Sequence, residues 1–594
     1  MYCYGWGDGG GGVDTEMLEY AKRYNKFPGL PETKISKIED SLGRMKAKAT
    51  DTNIPTWKDE LYLEEHRGVH TTKALLKKYN RRCENLYRQA EMFASIAAKY
   101  GYEYPLEKLN EGWQELLTTQ FHDGLPGSHI TEVFKDWCDR YERILAIGEQ
   151  VRTEALNVIA GYIDGSEKYG KPFALFNSLG VNATSKVELP YEDVEIYSPC
   201  GKKIPVQAYE KLDGTKVLTF IAKDVPAVGF KVYYKKPAAV PAAEEISIAD
   251  VENDNFSLGI CENGELISIY DKRYEREVLS DLSNVFRIYE DLPGKYDAWD
   301  IVATYVDREF KTQPGKIEKA VRGDVFTSVT ISKQIIHSTV KQNIIIYNDL
   351  DRIDFDTFIS WHEKQKLLKV GFDVDIKAQK FTRDIAYATI ESSNYRHNPY
   401  DKAKFEVSAH NFIDMSEDGY GLSILTDCKY GFEVDKQRMI ITLLKAPMNP
   451  DPQSDRGDHY FTYSLYPHNN NWKDAGTITR GLELNNPFVS VDVSADSTGE
   501  VKQSFISVSA DNVLLEALKK CEDEDAYILR FVEKTGRTTK TEVSILAGIK
   551  EITECNLLER EDVPYEKWAT SGGTSEIDLE IAPFEIKTIK IFLK

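Results

Sequence analysis

No run of this chain approaches the roughly 18 consecutive apolar residues that a membrane-spanning helix needs. Insertion as a helical span is therefore excluded, and no membrane partner is expected. The eight cysteines among 594 residues (Cys3, Cys83, Cys138, Cys200, Cys261, Cys428, Cys521 and Cys555) form no C-x-x-C clip and no dense framework. Such spacing suits reduced thiols and a cytoplasmic location. Positive charge is also short, 75 Lys and Arg against 96 Asp and Glu, a net charge of −21. With no basic stripe carrying interleaved aromatics, the chain repels phosphate backbones, and nucleic acid is excluded as a partner. The opening MYCYGWGDGG has neither the basic start nor the apolar segment of a secretory signal. No internal repeat at solenoid or propeller period is present.

What is there is a soluble-type composition, 41% hydrophobic and 29% charged, in a chain long enough for about three to five domains. Its character changes near residue 170. Before that point TTKALLKKYNRRCENLYRQAEMFASIAAKY (71–100) and GSHITEVFKDWCDRYERILAIGEQVRTEALNVIAGYI (127–163) place apolar residues at helical spacing. From KPFALFNSLG (171–180) onward, short alternating runs such as QNIIIYNDLDRIDFDTFISW (342–361) predict antiparallel β-structure. The fold class expected is thus α+β and multidomain: a helical bundle followed by antiparallel β-sandwiches. Composition breaks put a helical domain at 31–165, a small β domain at 170–240, a large sandwich at 245–490 and a last β domain at 495–594. KKPAAVPAAEE (235–245) is the connector after the small domain.

Two short stretches point to chemistry. MYCYGWGDGGGG resembles the end of a strand, an acid and a glycine-rich turn ahead of a helix capped by Asp14. A junction of that kind belongs to an α/β sheet, where ligands bind at the carboxyl ends of strands. The Lys-Ser/Thr ending of a phosphate loop is missing, so Asp8 is either functional or part of a tight turn. In QELLTTQFHDGLPGSH (114–129), His122 and Asp123 fall where a helical run meets a Gly-Leu-Pro-Gly break. Two readings stand: a core imidazole satisfied by one hydrogen bond, or a metal ligand beside a carboxylate that handles substrate. His66 and His70 in HRGVH have ligand-like spacing, but Gly68 favours a turn.

Seven stretches, in order, resemble the class II α-mannosidases of glycoside hydrolase family 38. They are YGWGDGGGG (4–12), ELYLEEHRGVHTT (60–72), QFHDGLPGSHITEV (120–133), FALFNSLG (173–180), YEDLPGKYDAWDI (289–301), AHNFIDMSEDGYGLSILTDCKYG (409–431) and PDPQSDRGDHYFTYSLYPH (450–468). The resemblance implies a retaining, zinc-dependent hydrolase of terminal α-mannosides, and a large mannosidase-type supersandwich among the β domains. It makes 1–30 the remnant of an α/β catalytic domain whose remainder, with the nucleophile and three zinc ligands, lies ahead of Met1. His122 then falls on the fourth zinc ligand and Asp123 on an acid that contacts sugar hydroxyls. Asp8 falls on the loop carrying the general acid/base, Arg456 on an arginine reaching the sugar, and Tyr296 or Trp299 where an active-site tyrosine is expected. Gly124 and His129 depart from the family pattern, which has a larger apolar residue and a serine there; the departure is expected to loosen the turn that aims His122.

A retaining glycosidase needs two carboxylates about 5 Å apart, and this chain offers at most one of them. It is therefore expected to be inactive alone, either as a cut reading frame or as the partner of a separately encoded N-terminal mannosidase domain. Self-association through the uncovered face is a further expectation. The alternatives are a non-catalytic carbohydrate-binding or structural β-sandwich protein, and a different β-sandwich hydrolase.

Overall fold

A computed structural model of the protein describes residues 3–7, 9–49, 54–58 and 60–594. The chain divides into two compact units, Met1–Tyr62 and Leu63–Lys594. The first holds two helices, α1 (Thr15–Tyr24) and α2 (Ile38–Lys48). Asp14 caps α1, its Oδ1 accepting the Met17 N–H at 2.8 Å. The described residues ahead of Thr15 form bends and turns, not the expected strand. A strand there would need a neighbour to satisfy its backbone groups, and none of the described residues of this unit forms one.

The second unit begins with three helices, α3 (Ala74–Ala98), α4 (Leu106–Thr119) and α5 (Thr131–Ala160). Their periodic apolar residues form the core: Leu76, Tyr87, Phe93, Leu116, Tyr141, Ile144 and Leu156 are all buried. α3 is covered on more than one side, which explains why Arg81, Gln89 and Glu91 are also buried on it. Its core continues through Phe93 and Phe176, 5.7 Å apart and edge-on, into the β-structure that follows.

Three antiparallel β-assemblies complete the unit. In the first, a sheet built on Lys171–Asn177 and Gly229–Pro237 faces a smaller one, Ala183–Pro190 with Lys216–Val225 and Gln207–Glu210. Residues of Ala183–Pro190 alternate buried and half-buried, the two-residue period of a strand with one covered face. The strand Val489–Asp492 returns to pair with Lys171–Asn177, Phe173 opposite Asp492, so a segment well beyond residue 240 belongs to this sheet.

The large sandwich sets a ten-stranded sheet against a six-stranded one. Phe355 of the first lies 5.6 Å from Phe372 of the second and stacks at 5.0 Å on Tyr463 of its neighbouring strand, which locates the core between the sheets. The C-terminal sandwich packs a four-stranded sheet on a five-stranded one, and Leu515, Leu529 and Ile589 share the core of the helices. The architecture is the α+β multidomain arrangement expected, helices followed by antiparallel sandwiches.

Candidate functional site

α4 ends at Thr119, and the chain then turns through Phe121–Pro126 before α5 starts at Thr131. His122 sits on this turn, exposed, its ring 4.2 Å from that of Phe121. It is not the buried imidazole of the core reading. Asp123 is half-buried, and one of its oxygens accepts the Ser128 hydroxyl at 2.7 Å. Phe121, Leu117 and Ile130 are exposed on the turn and its flanks, and the Phe121 ring lies against the accessible imidazole.

The two departures from the family pattern do not loosen this turn. A Cβ on Gly124 would come 2.5 Å from the Thr119 carbonyl and 2.7 Å from Trp137 Nε1, so only glycine fits. Its N–H closes the turn on Phe121 O at 2.7 Å. His129 is buried, with Nδ1 3.1 Å from Ile130 O and Nε2 without a hydrogen-bond partner among the described residues. Burial pulls its pKa down to about 4, so it packs as a neutral ring near Phe134 and Trp137.

The residues just ahead of α3 gather the other stretches. Gly68 and Val69 donate to Trp299 O at 2.7 and 3.2 Å, and the Thr72 hydroxyl donates to Ala298 O at 2.8 Å. Gly68 suits this close approach, because a Cβ would meet Lys445 Cε at 2.6 Å and the carbonyl oxygens of Trp299 and Asp300 at 3.0 Å. Lys77, on the first turns of α3, donates to the carbonyls of Leu125 at 2.8 Å, Pro126 at 2.9 Å and Thr72, holding the His122 turn. His66 and His70 lie in short 3₁₀ turns, and burial with Lys77 and Arg383 nearby pulls the His70 pKa to about 3.

The loop before Arg456 binds to the same place. Asp455 accepts the N–H groups of Lys73 at 2.6 Å and Ala74 at 2.7 Å, capping α3 from 382 residues away. Asp451 pairs with the Lys73 ammonium and accepts the Thr131 hydroxyl at 2.5 Å, joining the starts of α3 and α5. Asp297 in turn accepts Met448 N–H at 2.6 Å and Asn449 N–H at 3.2 Å, joining the Tyr296 loop to the Arg456 loop. Asp291 is buried against Lys445; burial, with Asp297 and Asp300 nearby, pushes its carboxyl above the ordinary range despite that partner. Sequence reasoning missed Asp451, Asp455 and Asp297, although all three lie inside the motifs that carried the resemblance.

The described site residues thus stand on three stretches that meet around residues 68–77. Arg456 is exposed and donates to Gln453 Oε1 at 3.2 Å. Tyr296 is exposed, with φ of +57°, and meets Trp299 edge-on at 6.3 Å. No hydrogen bond or ion pair among the described residues joins any two of His122, Asp123, Tyr296, Trp299 and Arg456. Asp8 lies outside the described residues. Among the described residues no group of three or more His, Cys, Asp or Glu is placed to hold a metal ion. By themselves these residues offer one imidazole ligand, hydrogen-bond acceptors and a guanidinium, a set suited to binding hydroxyl groups. They do not make a complete metal site, which needs three or four ligands.

Three family profiles match this chain. "Alpha mannosidase middle domain" matches residues 64–159, "Glycosyl hydrolases family 38 C-terminal domain" residues 251–453, and "Glycosyl hydrolases family 38 C-terminal beta sandwich domain" residues 512–589. Alpha-mannosidase G of Dictyostelium discoideum is 29% identical over 632 residues, covering 99% of this chain and 57% of its own length. Human alpha-mannosidase 2C1 is 28% identical, covering 100% and 56%. The chain therefore spans a little over half the length of these relatives. A crystal structure of an α-mannosidase from Enterococcus faecalis V583 superposes over 98% of this chain and 75% of its own, with a TM-score of 0.78 at 16% identity, a likeness of fold. The order of the matched domains, the helices and sandwiches that carry them, and relatives aligned along the whole of this chain give one assignment: the chain belongs to glycoside hydrolase family 38, of which it carries the middle and C-terminal domains.

Proposed function

We propose that the turn of His122 and Asp123, the Tyr296 loop and the Arg456 loop form the portion of an α-mannosidase active site that the middle and β domains contribute. An N-terminal α/β domain, in the same polypeptide or separately encoded, supplies the nucleophile and the remaining metal ligands. The observation that carries this reading is the convergence of three distant motif stretches on residues 68–77, with His122 left accessible on one of them. Nothing in the packing of a sandwich requires an exposed imidazole against the Phe121 ring.

In this reading His122 is one ligand of a shared zinc site, and the ion, once bound, supplies Lewis-acid polarisation of sugar hydroxyls. Asp123 accepts hydrogen bonds from the sugar, Arg456 donates to it, Tyr296 or Trp299 walls it, and Asp8 is the general acid/base. The substrate is a terminal α-mannoside, and the scattered thiols fit a cytoplasmic enzyme. No helix among the described residues is long and apolar enough to cross a membrane. The metal-ligand count supports a second reading of these domains on their own, as a carbohydrate binder without hydrolytic activity.

The test is complementation. The chain is mixed with the separately expressed N-terminal domain of a relative such as Dictyostelium alpha-mannosidase G, and hydrolysis of an aryl α-mannoside is followed. Activity in the mixture and in neither part alone supports the proposal. Turnover by this chain alone above a boiled control contradicts it, as does an assembled but inactive mixture.

A further inference from the structure

Apart from that site, a cavity of about 860 Å³ lies where α3, α4, the large sandwich and the C-terminal sandwich meet. Its volume is in the range of small-molecule sites, about 300–1,000 Å³. Six Arg and Lys and seven Asp and Glu side chains line it, so it carries no charge excess for an ion. Much of that charge is already neutralised in place. Lys534 pairs with Asp384 at 2.5 Å, and Lys519 with Glu522 and with Glu559 at 2.9 Å. The rest of the lining is largely aliphatic, with two aromatic rings, Trp113 and Tyr387, and the amides of Asn85, Asn110, Gln120 and Asn411 among it.

Three groups in the lining keep hydrogen-bonding capacity to spare. Arg88 donates to Ser178 O at 3.1 Å, to the Ser178 hydroxyl at 3.2 Å and to Asn486 Oδ1 at 3.0 Å, but among the described residues to no carboxylate, which leaves two of its five N–H groups over. Arg530 makes two long bonds, both 3.3 Å, to Thr588 Oγ1 and Leu557 O. Glu516 has no hydrogen-bond or ion-pair partner among the described residues.

Tyr387 gives the cavity an aromatic ring on a strained turn. It sits at the tip of the hairpin between strands Lys380–Ile385 and Ala388–Ser393, where Ile385 pairs with Ala388 across a two-residue loop. Its φ is +57°. That place in a turn favours glycine or asparagine, and a bulky aromatic there is strained by about 1–3 kcal/mol. The residue is 48% exposed, and among the described residues its hydroxyl has no hydrogen-bond partner. Ile336 and Lys436 carry a similar positive φ in other two-residue hairpins, and what sets Tyr387 apart is that its ring lines the cavity.

We propose that this cavity is a second carbohydrate site, taking a neutral oligosaccharide between Tyr387 and Trp113, with Arg88, Arg530 and Glu516 bonding its hydroxyls. Aromatic faces offer apolar area to the C–H face of a sugar, and planar donors and acceptors read its hydroxyls. Balanced charge selects a neutral ligand. The existence of the site is independent of the catalytic proposal; only the choice of mannose as probe rests on it.

The experiment is calorimetric titration of the full chain carrying His122→Ala, Asp123→Ala and Arg456→Ala, which removes the polar contacts of the first site, with α-linked mannotriose and separately with tripolyphosphate. Saturable mannotriose binding with a Kd below about 1 mM, and none for tripolyphosphate, is expected. Tyr387→Gly in that background should weaken mannotriose binding at least about tenfold while Tm holds or rises, since glycine suits the turn. Glu516→Ala, at a half-buried position with no hydrogen-bond or ion-pair partner among the described residues, should also weaken binding with Tm little changed. No mannotriose binding, tripolyphosphate binding in its place, or mannotriose affinity unchanged in both variants would overturn the proposal. Loss of Tm in Tyr387→Gly would make the ring a packing residue and overturn it as well. None of these results bears on complemented hydrolysis, which depends on His122.

Discussion

The carboxylate of Asp455 accepts the backbone N–H of Lys73 at 2.6 Å, with the Ala74 N–H at 2.7 Å on its other oxygen. Lys73 stands at the N-cap of α3 with φ of +54° and no side-chain cap of its own, so the helix start depends on a residue 382 positions away. Asp455 itself has φ of +58° and immediately precedes Arg456. One carboxylate thus fixes both the origin of α3 and the loop that presents the guanidinium.

Removing that carboxylate should affect stability and site together. Asp455→Ala leaves two buried N–H groups without an acceptor and should cost about 2 kcal/mol. Asp455→Asn keeps one acceptor and should cost about half as much. Denaturant unfolding of the chain measures both. In the complemented enzyme, Asp455→Ala should also raise KM for an aryl mannoside as Arg456→Ala does, whereas a purely structural cap would lower active fraction and leave KM unchanged.

Lys77 makes a second, narrower prediction. Its ammonium uses three donors on the carbonyls of Thr72, Leu125 and Pro126, all near the His122 turn. Lys77→Met keeps the stem and removes the donors, leaving carbonyls buried without partners, at a cost of about 1–3 kcal/mol. Hydrogen exchange should rise at 124–128 and stay unchanged in the C-terminal sandwich. Uniform protection across both regions would show that the three bonds do not hold the turn.

Glu91 sets the alkaline edge of stability. Burial pushes its pKa up to about 7, although its Oε1 accepts Trp113 Nε1–H at 2.9 Å. The folded chain therefore holds this proton more tightly than the unfolded one. The stability this gives is fully present below the unfolded carboxyl value and is lost as pH rises through about 7. Histidines act at the other edge: burial lowers His70 to about 3, and His129 and His410 to about 4, so stability falls as pH drops below the ordinary histidine range. Glu91→Gln keeps an acceptor for Trp113 and removes the charge. It should raise stability at pH 8 by roughly 1–3 kcal/mol and change it little at pH 5. An equal change at both pH values would contradict the assignment.

Local patterns were legible where one face of an element is covered. The apolar period over 71–100 and 127–163 marks α3 (Ala74–Ala98) and α5 (Thr131–Ala160), and the alternation over 342–361 marks strands Ser338–Tyr347 and Ile353–Trp361. The Gly-Leu-Pro-Gly break correctly places His122 just past a helix end. What the sequence hides is long-range. The bonds of Asp455 to α3, the return of Val489–Asp492 to Lys171–Asn177, and the cavity around Tyr387 join segments hundreds of residues apart, and no local period records them. Gly124 shows a subtler limit. Read along the chain it suggests looseness, but the space around it, filled by Thr119 O and Trp137 Nε1, makes it the residue that lets the turn close.

The central claim is that His122 contributes one ligand to a metal site shared with an N-terminal domain, and zinc content tests it most directly. The complex of this chain with the N-terminal domain of a relative is purified by gel filtration, dialysed against a weak chelator, and its zinc measured by atomic absorption beside that of each part. The account predicts about one zinc per complex, much less on either part, and loss of that zinc in His122→Ala with the complex still assembled, because a ligand set divided between two chains is complete only in the assembly. Full zinc retention by the His122→Ala complex would contradict it.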